Sequence, residues 1–128
     1  MIKKCILGLC LSVGLLPLAH AGLNITNNTD KPSTAVINNG PCSTMLGEHG
    51  TTQPHTTNSV PDGIIKLACL IHTSDCKANL YMSDNCSGSV IATIVFDTKK
   101  GIRNIDNKNI DGYTVSGSGF DATINKGQ

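Results

Sequence analysis

The sequence predicts an all-β fold: a small antiparallel β-sandwich or Greek-key barrel of about 7–8 short strands, stapled by disulfides. Three observations carry that expectation. Asn, Thr, Ser and Gly are abundant, and all are middling or poor helix formers. Turn signals recur along the chain as TDKP, NNGP, VPDG, SDNCSG, DTKKG, NIDG and SGSG. Between them lie short apolar or alternating runs, each the length of a strand.

In chain order the expected strands are LNIT (23–26), TAVI (34–37), IIKLACLI (64–71), KANLYM (77–82), SVIATIVF (89–96), GIRNI (101–105), YTVS (113–116) and FDATI (120–124). KANLYM alternates, which sets Ala78, Leu80 and Met82 on one face and Asn79 and Tyr81 on the other. IIKLACLI and SVIATIVF are nearly continuous in apolar residues, the pattern of strands covered on both faces. With KANLYM between them, residues 64–96 read as a three-stranded antiparallel meander. The stretch from Cys42 to Val60 lacks periodicity and reads as a long loop, the kind of segment that often carries function.

The first residues, MIKKCILGLCLSVGLLPLAHAG, have the parts of a secretory signal peptide. Lys3 and Lys4 give a positive start, Ile6 to Leu18 an apolar centre, and Ala19-His20-Ala21 a small–x–small cleavage signal. The apolar run is shorter than the ~20 residues a spanning helix needs. Cleavage between Ala21 and Gly22 is therefore expected, leaving 22–128 as a single all-β domain. Export by a Sec-type route to the periplasm or beyond follows from the leader.

Cleavage changes the cysteine account. Cys5 and Cys10 leave with the leader, and Cys42, Cys69, Cys76 and Cys86 remain. An even number of cysteines in a small exported chain reads as a disulfide framework. No CxxC occurs, so the zinc-knuckle and thioredoxin signatures are absent. Four cysteines permit three pairings. The reading leans to Cys69–Cys76 around His72 and Cys42–Cys86 across the chain, and leaves the others open. Without Lys3 and Lys4 the formal net charge of +1 becomes −1. That balance argues against nucleic acid, which needs a basic face to displace counterions.

Three chemical constellations deserve weighing. Asn107, Asn109 and Asp111, followed by Gly112, fit the first half of a calcium loop, though Ser118 stands where a bidentate Glu belongs. Tyr81-Met-Ser-Asp-Asn-Cys-Ser-Gly88 partly matches the corner of a βγ-crystallin, a second calcium hint, with Cys86 in place of the aromatic. Met45 and His49 offer a thioether and an imidazole, a copper-type donor set in an oxidising compartment. For catalysis, His72, Ser74 and Asp75 are sequence neighbours, and His55 lies in the loop, but no G-x-S-x-G elbow is present. The expectation is a binding module that is not an enzyme, needs no cofactor, and contacts a protein or glycan through loops 43–60 and 104–112. A metal-binding module is the alternative, and a small hydrolase using His72 or His55 the third reading.

The stretch ITNNTDKPSTAVINNGPCS, with VPDGIIKLAC and LYMSDNCSG, resembles small exported proteins of unknown function from Legionella-type intracellular bacteria. The resemblance covers Leu23 to Phe120. It implies secretion and a role at the host or envelope interface, and carries over no site residues.

Overall fold

Residues 21–127 are described by the structure, a computed structural model. The leader expectation therefore lies outside the described residues, except at its cleavage edge, Ala21 and Gly22. Strand β1 (Ala21–Asn27) is followed by β2 (Thr34–Ile37), a 3-10 helix (Ser43–Gly50), β3 (Thr56–Pro61) and helix α1 (Asp62–Ala68). Then come β4 (Cys76–Tyr81), β5 (Val90–Asp97), β6 (Gly101–Asn107), β7 (Tyr113–Ser118) and β8 (Asp121–Lys126).

Two four-stranded sheets result, ordered β3-β1-β8-β7 and β2-β4-β5-β6. All pairings are antiparallel except β1 with β8, which run parallel from Asn24↔Asp121 to Asn27↔Ile124. Leu23, Val60, Val115, Ala122 and Ile124 from the first sheet and Ala78, Leu80, Ala92, Ile94 and Phe96 from the second share one hydrophobic cluster. This is the sandwich that the alternating runs predict. Each large aliphatic or aromatic side chain buried there contributes about 1.5–3 kcal/mol.

Two readings of the sequence are corrected. IIKLACLI is not a strand, so the meander expected over 64–96 loses its first member and begins at β4. Pro61 precedes the first turn, Asp62 occupies it, and Lys66 Nζ sits 2.9 Å from Asp62 Oδ2 one turn later. Ile65 and Cys69, four apart, are the fully buried residues, the spacing of a helix rather than of a strand. The presumed loop before it is ordered too. Ser43–Gly50 forms the 3-10 helix, and Thr56–Pro61 pairs with β1 as an edge strand. The strand total survives because β3 replaces the one lost.

Polar side chains tie the sheets and turns where backbone pairing stops. Asn107, at the end of β6, receives the Val115 N–H on Oδ1 (2.7 Å) and donates from Nδ2 to the Val115 carbonyl (3.0 Å). Its amide thereby imitates a strand peptide and joins β6 of one sheet to β7 of the other. Gly101 opens β6 at φ +99, and a Cβ there would lie 2.3 Å from the Gly119 carbonyl oxygen. Only glycine fits that position. Asn27, fully buried, organises the next loop: its Oδ1 accepts the Thr29 N–H and hydroxyl, and its Nδ2 donates to the Lys31 and Thr52 carbonyls.

Candidate functional site

The cysteines form two bridges, Cys42–Cys86 and Cys69–Cys76. The first fixes the start of the 3-10 helix to the turn after β4. The second fixes the end of α1 to the start of β4. Around Cys86 the Ser83–Gly88 turn folds on the buried Thr34 hydroxyl, which accepts the Cys86 N–H (2.9 Å) and donates to the Ser83 carbonyl (3.0 Å). Ser83 and Cys86 of the partial crystallin corner therefore serve a structural turn.

Between the two bridged elements lies an apolar surface. A groove of about 330 Å³ runs between the 3-10 helix and α1, lined by Ile37, Met45, Leu46, Ile64, Leu67 and Ala68 among others. Met45 is 76% exposed and Leu67 72%. In the turn that leaves α1, Leu70 is 68% and Ile71 85% exposed. Four large aliphatic side chains so open to water, in segments that disulfides hold in place, form a feature that folding alone does not require. Sequence reasoning missed it because Leu67, Leu70 and Ile71 were assigned to a buried strand and Met45 to a long loop. The signal that could have found it is the Pro61-Asp62 helix start with Lys66 four residues on.

The other expected site residues fall as follows. Asn107 is hydrogen-bonded through both ends of its amide to Val115. Asn109 and Asp111 are exposed, at φ +59 and +53, in the turn between β6 and β7. Met45 borders the surface groove, whereas His49 lines an internal cavity of about 40 Å³. Among the described residues no group of three or more His, Cys, Asp or Glu could hold a metal ion. His72 Nδ1 lies 3.4 Å from Asp75 Oδ1, and His55 Nε2 lies 2.7 Å from Asp30 Oδ1; both pairs stand open to solvent. The Ser74 carbonyl accepts from Arg103 (2.9 Å). Gly22 is buried against α1, where a Cβ would meet Ile65 at 2.7 Å.

A family model described as "T2SS substrate NttC" matches residues 1–128. The chain belongs to the NttC family of type II secretion substrates. It is similar to the crystal structure of the Legionella pneumophila type II secretion system substrate NttC, with 27% sequence identity and a TM-score of 0.65. That match covers 82% of this chain and 96% of the other. No curated protein matches the chain. Membership of the NttC family makes this an exported protein, in keeping with its disulfide-bonded cysteines. Among the described residues no helix is long and apolar enough to cross a membrane.

Proposed function

We propose that this NttC-family protein is a secreted binding module, without catalytic chemistry, that engages a partner protein through the aliphatic surface around α1. The observation that carries the reading is the exposure of Met45 and Leu67 on a groove whose two walls are each anchored by a disulfide, with Leu70 and Ile71 exposed in the turn that leaves α1. Rigid walls lower the ordering cost of association, and apolar anchors entering a groove supply most of its free energy. A protein partner suits the surface because side-chain anchors match a groove of this size, and because Asp62 and Lys66 on α1 offer a polar rim.

The test uses the mature protein carrying the double substitution L67E/I71E. Saturable binding to host-cell or bacterial-envelope proteins, competed by unlabelled wild type, is expected to disappear in the variant while its melting temperature stays unchanged. Equal binding by wild type and variant would refute the proposal.

A further inference from the structure

A second surface, sharing no lining residue with the apolar groove, has the makings of a ligand site. Two open clefts, of about 320 and 440 Å³, meet along a common wall made by Lys31, Tyr113 and Lys126. The first is lined further by Ser87, Gly88, Ser89, Ile91, Ile110 and Asp111; the second by Asn28, Thr29, Asp30 and His55.

The Lys31 backbone and the Lys126 side chain on the wall are held in place. The Lys31 carbonyl accepts from the buried Asn27 side chain (2.7 Å) and from the Thr29 hydroxyl (3.1 Å), and its N–H donates to Thr29 Oγ1 (3.2 Å). The backbone of an exposed loop is thus pinned at the residue that presents the charge. Lys126 stands opposite Tyr113 in the β7–β8 ladder, and its Nζ lies 4.9 Å from the centre of the Tyr113 ring. The next residue, Gly127, closes the ladder by donating to the Gly112 carbonyl. Neither lysine forms an ion pair among the described residues. The nearby Asp30 carboxylate is taken by His55 instead.

The rest of the lining narrows the ligand. Ser89 offers a hydroxyl, Ser87 offers acceptor lone pairs while its proton goes to Asn85 Oδ1 (2.6 Å), and Asp111 offers an acceptor for hydroxyl donors. A polyphosphate brings no hydroxyl donors for Asp111 to accept from, and no open aromatic face is available for base stacking, because Tyr113 is buried beneath Lys126. Hydroxyl-rich chains that also carry carboxylates satisfy both halves of the lining. We infer that the ridge of Lys31 and Lys126 over Tyr113, with the clefts on either side, binds an acidic oligosaccharide, the lysines taking a sugar carboxylate and Asp111 with the serines taking its hydroxyls.

The probe is hexagalacturonate, with its fully methyl-esterified form as the uncharged twin, titrated into the mature protein by calorimetry and amide NMR. The free acid is expected to bind with shifts at Lys31, Ser87, Ser89 and Lys126, and the ester at least about tenfold more weakly, the loss expected when charged hydrogen bonds are removed. The variant K31Q/K126Q should lose binding to the same degree, whereas K66Q/K77Q and L67E/I71E should bind as wild type. Absence of binding by the free acid, equal affinity for acid and ester, or an unchanged K31Q/K126Q would overturn the inference. Because L67E/I71E leaves this site intact, its failure and that of the apolar surface are read separately.

Discussion

Asn107 shows how one residue can satisfy a motif and serve another purpose. Its position fits the first ligand of a calcium loop, yet both ends of its amide are used by Val115 to link the sheets. N107A would leave the Val115 N–H and carbonyl unpartnered, and is expected to cost about 1–3 kcal/mol of stability, measured by urea unfolding. Calcium added to wild type should leave that curve unmoved. The backbone requirement at Gly101 predicts a comparable effect: G101A must push against the Gly119 carbonyl and should lower the melting temperature.

Asp97 supplies the pH-dependent element at this scale. The Lys99 N–H donates to its Oδ1 (2.7 Å), and the Lys100 N–H does the same (3.1 Å). The Lys99 backbone bond, above all, holds the Asp97 carboxyl below the usual aspartate range, with the Lys100 backbone bond and the charges of Lys100 and Arg103 acting in the same direction. A carboxylate favoured by the fold protonates at lower pH than in the unfolded chain. Its stabilisation is therefore complete above the ordinary aspartate range and is lost as pH falls through the lowered folded value. Carbon-13 NMR should place the Asp97 midpoint below that of the free peptide DTKKG, and D97A should flatten this part of the acid-unfolding curve.

At the scale of elements, the strands were legible and the helix was not. Alternation in KANLYM and the turn signals around each apolar run report side-chain direction and chain reversal, and β4, β5, β6, β7 and β8 lie where those signals put them. The run IIKLACLI was ambiguous because a short continuous apolar stretch does not distinguish a buried strand from a short helix. Two helical turns alone are marginal in water. Here Ile65 packing beside Gly22 and the Cys69–Cys76 bridge hold them. The Thr-rich β3 was hidden because its pattern is mostly polar, as befits an edge strand, with Val60 its one fully buried residue.

The bridges should differ in weight. Cys42–Cys86 spans 44 positions and Cys69–Cys76 only 7. In the chain-entropy model these correspond to roughly 4 and roughly 2.5 kcal/mol. C42A/C86A is therefore expected to destabilise the domain more than C69A/C76A, by guanidinium unfolding. The second variant should instead raise hydrogen exchange selectively in residues 62–71.

For the whole molecule, the sequence pointed to an exported, oxidised protein, and the two disulfides and membership of the NttC family agree. The candidate surfaces were far less legible. The apolar groove arises where the 3-10 helix meets α1, two elements the pattern did not reveal. The Lys31–Lys126 ridge joins residues nearly a hundred positions apart, brought together by the parallel pairing of β1 with β8, a contact no local signal encodes. Loops 43–60 and 104–112 were expected to carry recognition; the structure turns most of the first into regular elements, one of which walls the groove.

Site-directed photo-crosslinking most directly tests whether this sandwich presents its bridged aliphatic face to a partner. A photoreactive side chain at Leu67 should yield one discrete adduct that unlabelled wild type suppresses, whereas the same group at Ser116, exposed on β7, should yield none. Equal labelling from both positions, or no adduct from Leu67, would contradict the account.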